Sequence, residues 1–260
     1  MQYALYFLIA IGATTVGSLT GMGGGVMIKP LMDVLGTFDA STIGLLSALT
    51  VFSMSAVSIG RHLWAKTAIP FRMAVPLAIG SVIGGRLGQS ALDTLTAGLP
   101  NRLVTAVQNG ALAVLILAVY LYIRNKAKIP SHRWENLPLI LLTGCFLGIC
   151  SSFLGIGGGP INVALMIYLF SVDTKTATVC SLVTILFAQA SKLAAVAAGG
   201  GFEGFDLSAA PVMIAGAIAG GFIGAGLSKR CSEPAVERAF NGVQLLVLAI
   251  AVFNMVRNLA

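Results

Sequence analysis

Charge is what this sequence has least of. Asp, Glu, Lys and Arg make up 10% of its 260 residues, hydrophobic residues 57%, and the mean hydropathy is +0.93. That balance excludes a soluble globular domain. Acid is the scarcer sign, with 9 acidic against 16 basic residues. Asp33, Asp39, Asp93, Glu135, Asp173, Glu203, Asp206, Glu233 and Glu237 are all expected in loops or at the ends of apolar spans, which leaves no buried carboxylate as a proton or sodium relay. Histidine is nearly absent too. His62 and His132 are expected in basic loops, without a partner at metal-ligand spacing, so no metal and no other cofactor is expected. Cys145, Cys150, Cys180 and Cys231 form no CxxC pair and read as buried small residues. The chain opens on Met1-Gln2-Tyr3 without a basic n-region or a small-residue cleavage site, so its first apolar run is expected to be retained. A net charge of +7 in a soluble protein would suggest nucleic acid. Here the basic residues sit in short loops between apolar stretches and read as topology signals, so no nucleic-acid partner is expected and the bilayer is the solvent.

Glycine, by contrast, is abundant, and it marks a repeat. Gly-Met-Gly-Gly-Gly at 21–25 recurs as Gly-Ile-Gly-Gly-Gly at 155–159, an offset of 155 − 21 = 134 residues. Without gaps, Ser18 then meets Ser152, Asp39 meets Asp173, Ser47 meets Ser181 and Thr50 meets Thr184. At an offset of 216 − 80 = 136, the ladder Gly80, Gly84, Gly88 meets Gly216, Gly220, Gly224, and Val107-Gln108 meets Val243-Gln244. The chain reads as a duplication, 1–130 and 131–260. Each unit has a glycine-broken apolar segment (3–36; 137–170) and three plain spans, near 42–60, 71–91 and 103–123, then 176–198, 208–228 and 237–256.

The basic residues decide how the broken segments run. If these turn back as hairpins, Arg61, Lys66, Arg72, Arg124, Lys126, Lys128, Arg133, Lys175, Lys229, Arg230 and Arg238 all face the cytoplasm, with Arg102 and Arg257 outside. If they cross fully, Lys229 and Arg230 fall on the wrong side. Hairpins make the number of crossings per unit odd. The expected fold is therefore an all-α integral membrane protein of two inverted repeats, each a re-entrant helical hairpin with a Gly-rich turn plus three transmembrane helices. The two turns meet near the midplane, which is a transporter's architecture.

A backbone break inside a membrane survives only where protein or a polar cavity satisfies it. Each glycine run feeds a short helix, from Val26 and from Pro160, whose first turn offers free N–H groups and the positive end of a dipole. The N–H groups around Gly23, Gly24, Gly25 and around Gly157, Gly158, Gly159 are expected to converge on one small anion, with the hydroxyls of Ser18, Ser152, Ser47, Thr50, Ser181 and Thr184 completing the shell. The bland alternative is that these hydroxyls bond to their own helices and let helices pack closely. Lys192 is the basic residue placed well inside a plain span, where snorkelling and substrate attraction compete; Lys29 is similarly ambiguous. Pro30, against Ala164 in the second unit, suggests a late or kinked start for the first short helix. The GxxxG ladders are assigned to helix packing, a homodimer face being the weaker reading. No GK[ST] follows the glycines and no strand precedes them, which excludes a P-loop and a dinucleotide fold. An intramembrane enzyme would need a nucleophile with a base, and Cys150 and Cys180 have none in view; a membrane scaffold would have no use for two polar breaks.

The motifs Gly-Ser-Leu-Thr-Gly-Met-Gly-Gly-Gly from Gly17 and Ser-Ser-Phe-Leu-Gly-Ile-Gly-Gly-Gly-Pro from Ser151, in a chain of this length and hydropathy, resemble the sulfite exporter TauE/SafE family of membrane permeases. The resemblance spans the chain. It implies transport of sulfite, sulfonates, thiosulfate or related organosulfur anions across the bacterial inner membrane, and carries the family's glycine motifs onto Gly21 to Gly25 and Gly155 to Gly159. A carrier or channel for another small anion remains the alternative within transport. An anion leaving a negative-inside cell gains about 2.3 kcal/mol per charge per 100 mV, so export needs no carboxylate relay.

Overall fold

The computed structural model describes residues 2–66, 69–126, 128–156 and 158–259. All regular elements among them are helices: α1 (Gln2–Thr20), α2 (Gly25–Leu35), α3 (Ala40–Trp64), α4 (Phe71–Gly98), α5 (Asn101–Asn125), α6 (Leu137–Phe153), α7 (Pro160–Phe170), α8 (Thr174–Ala198), α9 (Ala210–Arg230) and α10 (Glu233–Leu259). A broken pair followed by three long helices thus occurs twice. By length and composition α1, α3, α5, α8, α9 and α10 could each cross a membrane. The remaining long helix, α4, carries Arg72, Arg86 and Asp93.

Both broken pairs double back. Tyr6, near the start of α1, donates its hydroxyl to Thr37 Oγ1 at 3.1 Å and packs its ring on Phe38, both just past α2. Ahead of α6, the amides of His132 and Trp134 donate to the carbonyls of Tyr168 and Leu169 at the end of α7, at 2.7 and 3.0 Å. The hairpins open at opposite ends of the molecule. Lys126, beyond α5, pairs with Glu237 at the start of α10 at 2.7 Å, while Asn109 and Asn254 meet within the two helices, so α5 and α10 run antiparallel. The first hairpin's mouth lies by the end of α10, where Arg257 donates to the carbonyls of Asp33 and Val34; the second lies by the end of α5, where Tyr122 packs on Tyr168. Following each helix from these ends places Arg61, Lys66, Arg72, Arg124, Lys126, Lys128, Arg133, Lys175, Lys229, Arg230 and Arg238 at one end, and Arg102 and Arg257 at the other.

Packing is exchanged between the halves. α1 lies on α9 and α6 on α4, α3 on α9 and α8 on α4, while α3 packs on α8 and α5 on α10. The glycine ladders make the closest of these contacts. Gly80, Gly84 and Gly88 meet the carbonyls of Leu141, Cys145 and Ile149 in α6, and Gly216, Gly220 and Gly224 meet those of Phe7, Ile11 and Thr15 in α1. A Cβ at Gly80, Gly84, Gly88, Gly220 or Gly224 would overlap a backbone oxygen, and one at Gly216 would be tightly crowded, so glycine permits an approach where Cα–H···O contacts add up. The two aspartates matched in the sequence are both helix caps. Asp39 accepts from the amides of Ser41 and Thr42 at the start of α3, and Asp173 from the amide of Thr176 at the start of α8.

Some expectations are corrected. His62 is not in a loop: it lies in the last turn of α3 and is buried. Of the cysteines only Cys180 is fully buried, because Cys145 and Cys150 sit on the partly exposed side of α6 and Cys231 ends α9. Arg86 joins Lys192 inside a plain span. Pro30 neither delays nor breaks α2, which runs from Gly25 to Leu35.

Gly84→Ile should destabilise the protein by about 1–3 kcal/mol through overpacking, whereas Gly242→Ala, with open space around its Cα, should be neutral; thermal unfolding in one detergent compares them. Asp173→Ala should cost about 1 kcal/mol at neutral pH. Burial alone would raise the Asp173 carboxyl, but its hydrogen bonds from Thr176 hold it below the ordinary value. Its contribution is therefore present above the unfolded carboxylate pKa and lost as pH falls through the lower folded value, so wild type and variant should converge in acid.

Candidate substrate site at the hairpin junction

The glycine turns fold because glycine takes backbone angles that other residues avoid. Gly21 and Gly23 have φ of +75° and +71° in the first turn, Gly155 and Gly158 +65° and +111° in the second. Gly157 lies outside the described residues. The residue between the first two glycines of each motif, Met22 or Ile156, is buried in the same apolar cluster. The turns meet there: the Cα of Gly25 abuts the Ile156 carbonyl, with Ser47 Oγ only 2.7 Å from where its Cβ would be. Gly23 and Gly24 instead press against Gly17 of their own hairpin, and Gly24 also against Thr14. Gly158 faces Ile185 of α8, and Gly159 the Ile156 side chain.

The hydroxyls divide into three kinds. Thr50 and Thr184 donate to their own helices, to Leu46 O at 2.6 Å and Cys180 O at 2.9 Å, as the bland reading has it. Ser18 and Ser181 tie elements together: Ser18 bonds Ser58 Oγ at 2.7 Å and the Gly221 carbonyl, and Ser181 donates to the Gly21 carbonyl at 2.6 Å. Ser181 thus satisfies a backbone oxygen of the turn. Ser47 and Ser152 are fully buried, and their hydroxyls have no hydrogen-bond partner among the described residues. Ser47 lies at the junction; Ser152 lies against Gly85 of α4.

Charge also converges on the junction. Lys192 does not snorkel: it is 2% exposed, and its Nζ donates to the Gly44 carbonyl at 3.2 Å. Gly44 has no side chain to hold this ammonium off, and its Cα lies 3.3 Å from where a Cβ on Gly155 would be. The aliphatic stem of Lys29 packs against the same Gly155. Lys29 is 1% exposed and pairs with Asp33 at 3.3 Å. Asp33, expected near the surface, is instead 4% exposed inside α2, because its partners are there: Lys29 one turn before it and the Asn109 amide, which donates at 2.8 Å. Asn254 of α10 donates to the Pro30 carbonyl at 2.8 Å.

The sequence reading missed Asp33, Asn109, Asn254 and Asn162. Asn162, at the start of α7, is 1% exposed beside Gly158, and its Oδ1 has no partner among the described residues. Amide side chains inside apolar spans were the available signal, since each must find a partner or a ligand there. Gln108 carried it openly: it donates to the Phe153 carbonyl at 2.7 Å, while its counterpart Gln244 is equally buried and unbonded among the described residues.

Comparison with known proteins agrees with this architecture. No solved structure matches the chain. A "Probable membrane transporter protein YjnA" of Bacillus subtilis (strain 168) is 27% identical over 225 residues, covering 82% of this chain and 85% of that protein. The family model described as "Sulfite exporter TauE/SafE" matches residues 6–252. The chain therefore belongs to the sulfite exporter TauE/SafE family and is a multi-pass membrane transporter rather than an enzyme.

Proposed function

We propose that the protein moves a small sulfur-containing oxyanion, sulfite or a related organosulfur anion, by alternating access between two inverted units, 1–130 and 131–260. The observation that carries this reading is the charge at the hairpin junction. Two buried lysines, Lys29 and Lys192, flank the touching glycines Gly44 and Gly155, and Asp33 balances only one of them. An uncompensated ammonium away from water is costly, and an anion relieves that cost when it arrives. Ser47 and Ser152, with the amides of Val26 in α2 and Ile161 in α7, are neutral donors that complete the shell without binding so tightly that release fails.

The opposed hairpin mouths and the exchanged helix pairs support the inverted relation between units. The end that gathers the basic residues is cytoplasmic by the positive-inside rule. Asp33 is already neutralised by Lys29, so the anion's own charge couples transport to the membrane potential and favours export.

The test is sulfite flux in liposomes carrying the purified protein, with thiosulfate, a small sulfonate, sulfate and chloride as competitors. Sulfur oxyanions should compete selectively, and an inside-negative potential should accelerate outward flux. Equal competition by every anion would instead mark a carrier or channel for small anions at large. Outward flux that depended strictly on an opposing proton gradient, without response to potential, would remove the electrical account of export. Lys192→Gln should lower sulfite flux about ten-fold, the factor that ~1.4 kcal/mol of lost charge-assisted binding corresponds to, with membrane insertion unchanged.

A further inference from the structure

The internal repeat allows the two ends of the molecule to be compared position by position, and they are not in the same state. At the end away from the basic cluster, a polar cleft of about 350 Å³ lies between α4 and α8. Arg86, Ser90 and Asp93 line it from α4, Ala195 from α8, and Gly199 just past the end of α8. The buried Lys192 lies one turn deeper on the same face of α8, since positions 192 and 195, three apart, are neighbours on a helix. Arg86 makes no ion pair among the described residues and is exposed.

The offsets of 136 and 134 residues put the counterpart between α9 and α3. Arg86, Ser90 and Asp93 become Phe222, Gly226 and Lys229; Ala195 becomes Arg61, and Lys192 becomes Ser58. This second cleft is filled. The Arg61 guanidinium lies over the Phe222 ring, 3.9 Å from its centroid, donates to the Phe222 carbonyl and rests on Gly226, which has no side chain to exclude it. Lys229 donates to the Arg61 carbonyl at 3.1 Å. Beneath this plug Ser58 is buried and bonded to Ser18, whereas Lys192 at the matching depth lies below an open cleft.

We propose that the α4–α8 cleft is the open mouth through which the transported anion reaches Lys192, and that Arg61 is the gate closing the corresponding mouth between α3 and α9. This rests on the transport reading above. A cation–π contact and carbonyl hydrogen bonds suit a gate: they hold the closed state without covalent or apolar locking, and an anion passing that end offers the guanidinium an alternative partner. The junction of hairpin turns then separates one open path from one closed path, the geometry that alternating access needs at each instant.

Cysteine accessibility tests this without reference to sulfite. In purified protein whose native Cys145, Cys150, Cys180 and Cys231 are replaced by alanine, single cysteines at Ala195 and at Ser58 are timed against a small, charged thiosulfonate reagent. Ala195→Cys should react readily and Ser58→Cys slowly. Adding Arg61→Ala should speed Ser58→Cys labelling about ten-fold or more, as expected when a minor open state becomes a major one, and Phe222→Leu, which keeps the plug but removes its ring contact, should give a smaller rise. Equal labelling of both positions with Arg61 present, or an unchanged Ser58→Cys rate in both Arg61→Ala and Phe222→Leu, would overturn the gate. Sulfite flux failing while the labelling pattern holds would instead count against the choice of substrate.

Discussion

The structure depends on one constraint: a backbone that leaves its helix within a membrane must find its hydrogen-bond partners inside the protein. The two glycine turns meet it at each other's expense. Ser181 of the second unit bonds the Gly21 carbonyl of the first, Gln108 of the first bonds the Phe153 carbonyl of the second, and Gly25 rests on the Ile156 carbonyl. Neither turn is buried by its own half alone. The exchanged packing of α1 on α9 and α6 on α4 follows from the same need, because each hairpin must be carried deep by a helix it can approach closely, and the ladders at Gly80 to Gly88 and Gly216 to Gly224 provide that approach.

The same constraint explains what the sequence disclosed. Glycines and capping aspartates are chosen for backbone reasons, so they recur where the backbone recurs; the motifs at 21–25 and 155–159 and the match of Asp39 with Asp173 were legible for that reason, while the capping role of the two aspartates came from the structure. Side-chain partners obey no such rule. Thr50 and Thr184 repeat as faithfully as Ser47 and Ser181, yet the threonines serve their own helices, and Ser47 lacks the bond that Ser181 makes. Asp33 was hidden because its burial depends on Asn109, 76 positions further along the chain. A helix drawn from hydropathy cannot show a contact of that separation.

Charge placement divides the molecule's polar content by purpose. The basic residues at one end meet water and cost little. Lys29, Lys192 and Asp33 are kept away from water by surrounding helices: Lys29 and Asp33 pair with each other, while Lys192 reaches the Gly44 carbonyl because glycine there carries no intervening side chain.

The exchanged packing also bears on how the chain is made. When synthesis has reached the end of α5, the ladder on α4 has no α6 to receive it, and α1 has no α9. Until the second half enters the bilayer, the first must wait with its glycine faces and the polar turn at 21–24 uncovered. Assembly is thus a late, concerted closure of two incomplete halves, and an interruption in the linker near residue 130 would leave two fragments that can mature only by finding one another.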